Sequence, residues 1–318
     1  MKYNNEYKRQ DVYERVTGYV IEALQKGHVP WQRKWSVTGS LAGLPRNAIT
    51  HRPYRGWNMF LLNYVTYCQG YNSPYFLTFK QAAAAGGYIR RGETGTPIIY
   101  WAVVDNKKDP PGDDDETGAS PRQKMIPKLH VVFNTQQTGG IDFSLPAEPV
   151  KTWKEKIIAC DHLIEQMPQR PTIKHGGNRA YYHRLEDYVQ LPRFSAFDTA
   201  EDYYTSCFHE LAHSTGHTGR LNRKELMQSK SFGSDLYSKE ELTAEMTATY
   251  LCAITGIEQQ TINNSVSYIQ NWLQRLQNDK KLLVHAAAQA QAAADFIIGK
   301  QSEQPALPNP AQPYRIPA

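Results

Sequence analysis

Residues 199–217, TAEDYYTSCFHELAHSTGH, decide the fold of the C-terminal half, because His209, Glu210 and His213 form an HExxH motif. On a helix, residues four apart lie on one face a single turn apart, so both imidazoles can reach one Zn²⁺ at about 2.0–2.1 Å. Glu210 projects beside them and can take a proton from a water molecule that the metal acidifies to a pKa of roughly 7. The stretch predicts a hydrolytic metal site with Glu210 as the general base.

The two ends of this stretch carry signals for the start and the end of a helix. Thr199 and Asp202 resemble a capping box, and Gly216 supplies a stop, so the motif is predicted to lie on a helix over residues 199–215. The alternative is a surface helix that carries two histidines and no metal. The intact Glu210 favours catalysis over a structural site, because a structural metal has no use for that carboxylate.

A catalytic zinc site needs a third protein ligand as well as an open position. Residues 238–245, SKEELTAE, begin another predicted helix, on which Glu241 and Glu245 share a face. One of the two can bind the metal while the other orients a ligand histidine. Ser238 and Glu241 also fit a capping box, in which Glu241 would bind backbone N–H groups instead. The pattern leaves Glu241, Glu245 or another residue as the third ligand of Zn²⁺, with Mn²⁺ or Co²⁺ as alternative metals.

Hydrophobic periodicity and capping signals divide the rest of the sequence into elements. Helices are predicted over residues 7–26, 56–68, 78–86, 152–166, 238–254, 262–279 and 281–298. Strands are predicted over residues 129–134, 172–175, 180–183 and 187–192, and a hairpin over residues 88–104. The acidic, Pro- and Gly-containing residues 106–124 are expected to form a disordered insertion, and the Pro-rich residues 301–318 an unstructured tail.

The composition excludes several classes of protein. The 318 residues contain no apolar run long enough for a transmembrane helix, and the start MKYNNEYKRQDVYERV has no apolar core of a secretory signal. The four cysteines have no short spacing, which argues for a reducing cytoplasm and against a thiolate zinc knuckle. The absence of a GxxxxGK[ST] motif disfavours a nucleotide cofactor. We therefore expect a cytoplasmic protein without a membrane segment.

The N-terminal third is basic and rich in aromatic residues. Residues 1–104 contain 13 Lys and Arg against 5 Asp and Glu, and they hold four of the six tryptophans. Cations for phosphates and aromatic rings for base stacking are what nonspecific binding of single-stranded DNA requires. The candidate DNA-binding residues are Trp31, Arg33, Lys34, Trp35, Arg52, Arg55, Arg90 and Arg91. The alternative for the tryptophans is packing in the core.

Two sets of motifs carry a resemblance to a known family. The stretches AYYHRLEDYVQLPRF, FHELAHSTGHTGRLNR and YSKEELTAEMTATYLCA resemble the ArdC antirestriction proteins of conjugative plasmids. In the front half, VPWQRKW, YRGWNMFLL, GGYIRRGETGTPIIYW and VVFNTQQTGG are similar to the single-stranded-DNA-binding domain shared by ArdC and TraC-type plasmid primases. The Glu-x-x-Ala-Glu arrangement after HExxH resembles the gluzincin pattern, which favours Glu241 as the ligand and Glu245 behind it.

The resemblance implies an α+β protein of two domains. A single-stranded-DNA-binding domain over residues 1–145 would precede a zincin-like, gluzincin-type metallopeptidase domain over residues 150–300. The implied role is antirestriction, in which plasmid DNA is protected from host restriction enzymes as it enters during conjugation. One hypothesis makes the protein an active metallopeptidase with an unknown protein substrate. The alternative is a non-catalytic protein that coats single-stranded DNA and whose metal site is structural or regulatory.

Overall fold

The computed structural model of the chain describes residues 11–31, 44–105, 123–143, 145, 151–228, 235–258 and 266–300. Both halves of this part of the chain combine helices with small sheets, so the prediction of an α+β fold is confirmed. None of the helices in these ranges has both the length and the apolar run needed to cross a membrane.

The N-terminal half packs helices against a four-stranded sheet. Its helices are α1 (Val12–Gln25), α2 (Trp57–Cys68) and α3 (Phe79–Ala84), and its strands are β1 (Arg46–Asn47), β2 (Tyr75–Thr78), β3 (Tyr88–Ile89), β4 (Thr96–Asp105), β5 (Gln123–Asn134) and β6 (Thr138–Gly139). The sheet order is β1-β2-β5-β4, with β1 parallel to β2 and the other pairs antiparallel. A capping box between Thr78 and Gln81 begins α3. Helices α2 and α3 confirm the predictions for residues 56–68 and 78–86.

The strand pairing of this half differs from the predicted hairpin over residues 88–104. Strand β3 pairs with β6, whereas β4 pairs with β5 in a long antiparallel ladder that ends at Asp105 and Gln123. The hairpin prediction is wrong because β4 forms ten residue pairs with β5, which follows the acidic segment, whereas β3 has only two residues. Residues 106–122 of the predicted insertion lie outside the described ranges, and Gln123 and Lys124 belong to β5.

The C-terminal half places a three-stranded sheet beside a group of helices. Its elements are α4 (Trp153–Glu165), β7 (Thr172–His175), β8 (Tyr181–His183), β9 (Tyr188–Leu191), α5 (Ala200–Thr215), α6 (Lys224–Gln228), α7 (Asp235–Thr255), α8 (Val266–Asn278) and α9 (Leu282–Ile297). Strand β9 lies in the middle, parallel to β7 and antiparallel to β8, and α5 packs against the sheet. All these elements were expected from the sequence except the five-residue helix α6. The predicted tail, residues 301–318, is not part of the described structure.

Helix α7 is enclosed by protein, and every residue from Leu242 to Cys252 is buried. Its buried threonines satisfy their own hydroxyl groups: Thr243, Thr247 and Thr249 each donate to a carbonyl oxygen one turn earlier, at 2.9, 2.7 and 3.0 Å. A buried hydroxyl without a partner would be costly, and this local bonding removes that cost. The helix can therefore run through the interior and present its polar N-terminal residues to α5.

One hydrophobic core joins the two halves of the chain. It contains Val16 and Val20 of α1, Phe60 of α2, Phe208 of α5 and Leu283 of α9. Two polar contacts reinforce the junction, because the Tyr250 hydroxyl donates to the Gly56 carbonyl at 2.7 Å and Arg55 forms an ion pair with Asp295. The two predicted units are therefore packed directly on one another.

Trp31 lies at the centre of this junction. Its ring is fully buried, its Nε1 donates to Oε2 of Glu245 at 3.0 Å, and it packs edge-on against Trp272. Its carbonyl oxygen accepts a hydrogen bond from Thr249 at 2.6 Å. The structure thus corrects the predicted base-stacking role of Trp31, because a ring enclosed by the C-terminal half is not accessible to a nucleobase.

Replacing Trp31 should destabilise the whole chain. We expect Trp31→Ala to lower the free energy of unfolding by about 3–5 kcal/mol, because it leaves a large cavity and removes the donor to the buried Glu245 carboxylate. Chemical denaturation followed by circular dichroism measures this change. The matched control is Trp153→Ala, since Trp153 is 49% exposed on α4 and its loss should cost no more than about 0.5 kcal/mol. Equal denaturation midpoints for the two variants would contradict the central position of Trp31.

Candidate metal centre

Helix α5 carries the HExxH residues into the interior. The Thr199 side chain accepts a hydrogen bond from the Asp202 backbone N–H at 3.1 Å, which caps the helix where the sequence predicted. Ten residues later the helix is enclosed, and His209, Glu210 and His213 are all buried. The two imidazole rings lie one turn apart with their centroids at 4.7 Å.

Three potential ligand atoms converge at this point. The Nε2 atoms of His209 and His213 are 3.1 Å apart. Glu241 on α7 places Oε2 at 3.4 Å from Nε2 of His209 and Oε1 at 3.5 Å from Nε2 of His213. In the described part of the chain, His209, His213 and Glu241 form a cluster that could hold a metal ion, with one ligand atom of each within 4.8 Å of the others.

This donor set fits a divalent cation. Atoms bound at about 2.0–2.1 Å to a tetrahedral metal are spaced by about 3.3–3.4 Å, and the observed separations run from 3.1 to 3.5 Å. Two imidazole nitrogens that face each other at this distance need a proton or a cation between them, because their lone pairs repel. Two imidazoles and one carboxylate suit Zn²⁺, Mn²⁺ or Co²⁺ alike.

A second carboxylate lies behind His213. Nδ1 of His213 is 3.1 Å from Oε1 of Glu240, and the Arg223 guanidinium binds both oxygens of Glu240, at 2.9 and 2.5 Å. Arg223 also donates to the Ala212 carbonyl at 2.8 Å, near the C-terminal end of α5. A carboxylate that accepts Nδ1–H fixes the tautomer of a histidine and directs its Nε2 toward the metal. For His209, by contrast, Nδ1 is buried and has no hydrogen-bond partner in the described part of the chain.

Gly216 is needed for this arrangement, although not as a left-handed helix stop. Its φ is −76°, an ordinary helical value. A Cβ atom at this position would lie 2.8 Å from Cδ2 of Leu226 and 3.0 Å from Nη2 of Arg223. The glycine therefore leaves room for the guanidinium that binds Glu240.

The carboxylates control the protonation of the histidines. Burial would lower the pKa of His213, but the charges of Glu241 and Glu240 outweigh it and raise that pKa to about 9. Burial would raise the pKa of Glu241, but His213 and His209 hold that pKa at about 2. The metal-free protein thus gains stability from protonated His213 below its ordinary pKa of 6.5 and loses it as the pH rises through about 9. Metal binding at neutral pH must displace this proton.

Glu245 lies away from the histidines, although the sequence suggested that it was a third ligand or a carboxylate behind one. Its Oε2 accepts hydrogen bonds from Nε1 of Trp31 at 3.0 Å and from the Tyr268 hydroxyl at 2.6 Å. The position behind a ligand histidine is occupied by Glu240 instead. The spacing of Glu241 and Glu245 did not reveal this, because Glu240 is recognised only through Arg223, which lies 17 residues earlier in the chain.

Tyr237 is a further side chain at the centre that the sequence analysis missed. Burial and the adjacent Glu241 raise the pKa of its phenol, whose hydroxyl is hydrogen-bonded to Glu241, and the charge of Glu210 acts in the same direction. Tyr237 precedes Glu241 by one turn of α7, so the i, i+4 spacing was a signal that could have identified it.

The DNA-binding candidates of the N-terminal half have different environments. Arg33, Lys34 and Trp35 lie outside the described ranges. The exposed candidates are Arg52, Arg55, Arg90 and Arg91. Arg55 is also engaged by Asp295 of α9, and Arg90 donates to Glu93 at 2.8 Å. Arg55 thus contributes to the junction between the halves, whereas Arg52, Arg90 and Arg91 lie on the surface.

Comparison with known families identifies the class of protein. Residues 159–289 match the zincin-like metallopeptidase family, and residues 10–133 match the N-terminal domain of the anti-restriction factor ArdC. The protein therefore has two domains, a zincin-like domain that follows an ArdC-type N-terminal domain.

Relatives extend this similarity over nearly the whole chain. The Mn(II)-bound crystal structure of antirestriction protein ArdC from plasmid R388 superimposes with a TM-score of 0.71 at 28% identity, covering 92% of this chain and 99% of that one. The metal-free structure gives 0.68 at 29% identity, with 91% and 97% covered. The uncharacterized protein y4eC of Sinorhizobium fredii is 31% identical over 293 residues, which span 92% of this chain and 93% of y4eC. The chain belongs to the ArdC family of antirestriction proteins.

A primase shares the same segment. DNA primase TraC of Escherichia coli is 32% identical over 310 residues, which span 93% of this chain but only 28% of TraC. The chain thus corresponds to roughly a quarter of that longer protein.

The roles of Glu240, which contacts His213, and of Glu245, which the sequence favoured for that position, can be separated by mutation. We expect Glu240→Gln to weaken Zn²⁺ or Mn²⁺ affinity by about 10–100-fold, because the amide no longer holds the Nδ1–H of His213 as a carboxylate does. Titration of the metal against a competing chelator measures the affinity, with circular dichroism as a check on folding. The matched control, Glu245→Gln, should leave the affinity within about twofold. A larger loss in Glu245→Gln than in Glu240→Gln would reverse the assignment.

Proposed function

We propose that this protein protects incoming plasmid DNA during conjugation by two activities that act in the cytoplasm of the recipient cell. The N-terminal unit, residues 1–145, binds single-stranded DNA without sequence preference. The second unit, residues 150–300, hydrolyses a peptide bond in a protein substrate at a divalent-metal site. The family membership, the Mn(II)-bound ArdC of plasmid R388 and the basic N-terminal third support this proposal.

The observation that carries the catalytic part is the convergence of two imidazole nitrogens and one carboxylate beside buried Glu210. A cation held by His209, His213 and Glu241 would act as a Lewis acid and lower the pKa of water to about 7. Glu210 takes the proton that water releases as its oxygen bonds to the peptide carbonyl carbon. When the C–N bond breaks, Glu210 returns that proton to the amine nitrogen.

Exposed aromatic and basic side chains support the DNA-binding part. Tyr88 is 61% exposed. One side of its ring packs closely on Gly139, where an added Cβ would lie only 2.7 Å from Cζ of Tyr88. Arg90 and Arg91, two and three residues further along the chain, are also exposed. A ring fixed on one side and open on the other can stack on a base of any sequence, while the guanidinium groups bind phosphates.

Glu210→Gln separates catalysis from binding. We expect this variant to retain metal and single-stranded DNA but to lose peptide hydrolysis by at least about 100-fold, because the amide cannot accept the proton. Cleavage of unfolded casein or of a peptide library, with metal analysis of the same sample, measures both properties. If Glu210→Gln protects DNA from restriction as well as the wild-type protein does in a conjugation assay, proteolysis is not required for antirestriction. The non-catalytic DNA-coating function would then explain antirestriction.

The salt dependence of DNA binding tests the front-half surface. Affinity for oligo(dT) should fall with salt at a log–log slope of about −0.7 for each phosphate contacted. The double variant Arg90→Gln, Arg91→Gln should lose up to about 1.4 of that slope, one phosphate for each arginine. The control is Lys154→Gln, which removes an exposed cation from α4. Fluorescence anisotropy at several salt concentrations gives the slopes, and an affinity independent of salt would contradict this assignment.

A further inference from the structure

The sheet of the C-terminal half has one face in the core and one face toward solvent. Ile173, Tyr182, Val189 and Leu191 belong to the core or pack against it. The strand register places the alternate residues together on the opposite side, which we call the outer sheet face. Its members are Thr172 and Lys174 of β7, Tyr188 and Gln190 of β9, and Tyr181 and His183 of β8.

Three side chains on the outer sheet face form a stack that runs across the strands. The Lys174 ammonium lies 3.5 Å from the centroid of the Tyr188 ring. The His183 ring is parallel to that of Tyr188, with 5.0 Å between centroids and 6° between planes. Since β7 and β8 flank β9 on opposite sides, Lys174 and His183 approach Tyr188 from opposite sides.

The stack ends at the edge of the sheet, where its last ring is held in place. His183 lies on β8, one of the two edge strands, and its side chain is 35% exposed. Its Nδ1 accepts a hydrogen bond from the Glu186 backbone N–H at 3.2 Å, which fixes the ring orientation. Tyr181, two residues away on the same face, is 40% exposed, and its hydroxyl lies 3.3 Å from that of Tyr188. The outer sheet face thus presents two partly exposed aromatic rings, His183 and Tyr181, in fixed positions on the edge strand β8.

The charge around this face is positive. Residues 172–184, TIKHGGNRAYYHR, contain three cations and two histidines but no acidic residue. Two acidic residues follow, and one of them, Asp187, accepts hydrogen bonds from the Arg220 guanidinium and the Tyr182 hydroxyl. The other, Glu186, lies 4.0 Å from Nε2 of His183. Exposed cations beside exposed aromatic rings are complementary to phosphates and bases together.

We infer that the outer sheet face binds single-stranded nucleic acid, as a second surface beyond the N-terminal unit. A base stacks on the open side of His183 or on Tyr181, and Lys174 and Arg179 bind the flanking phosphates. A peptide would instead pair its backbone with the edge of β8 and would have no need of parallel rings on the face. Because the core of the same domain contains the metal centre, DNA bound here would lie on the metallopeptidase-like half of the protein.

Anisotropy titrations of the full-length protein with fluorescent oligo(dT) test this inference. We expect Tyr181→Ala and His183→Ala each to weaken binding by about tenfold, and His183→Phe to restore the affinity because it keeps the aromatic plane. Lys174→Gln should reduce the salt slope by about 0.7. Trp153→Ala is the matched control, since it removes an exposed aromatic ring from α4. Unchanged circular dichroism in each variant excludes loss of folding.

The outcomes separate this inference from the proposed function. Weaker binding in the β8 variants with a normal Trp153→Ala supports the second surface. Unchanged binding in these variants, together with a loss in the Arg90→Gln, Arg91→Gln protein, overturns the second surface and leaves the front-half assignment intact. No binding of oligo(dT) by the wild-type protein overturns both. Normal DNA affinity with impaired peptide cleavage in the β8 variants would instead identify a peptide surface.

Discussion

The buried ion pair between Arg223 and Glu240 is the interaction on which the metal centre depends. Breaking such a pair leaves an uncompensated buried charge, so its two partners are strongly constrained. The pair connects the end of α5, the segment after it and the start of α7, and Glu240 orients His213 from behind. The adjacent Glu241 faces both histidines. Two neighbouring carboxylates of α7 thus have different roles: Glu241 faces the Nε2 atoms of both histidines, and Glu240 holds His213 in position together with Arg223.

The two halves of the protein are in contact through α7, which is hydrogen-bonded to Trp31. Glu241 faces the histidines of α5, and one turn later Glu245 accepts the indole N–H of Trp31 from the N-terminal half. The residues that follow Trp31 in sequence are the basic candidates Arg33 and Lys34. The anchoring of Trp31 therefore connects the N-terminal half to α7 one helical turn from Glu241, a residue of the candidate metal centre.

Much of the fold could be predicted from the sequence, because its signals were local. The capping pairs Thr78–Gln81 and Thr199–Asp202 mark helix starts that the structure contains. The i, i+4 spacing of His209 and His213 likewise predicted that both rings would face one point. Properties that depend on distant partners could not be predicted. Strand β4 pairs across a long insertion, Glu240 is identified only by Arg223, and Trp31 resembles a stacking residue until the helices that bury it are known.

The long ladder between β4 and β5 has a consequence for how the chain can vary. The strands remain paired up to Asp105 and Gln123, so the two residues that flank the connection are neighbours on adjacent strands. The entropic cost of closing a connection rises only slowly with its length. We therefore expect a change in the length of this connection to leave the register of both strands unaltered. It is thus the position at which we expect an inserted epitope or fluorescent label to leave the paired strands β4 and β5 intact.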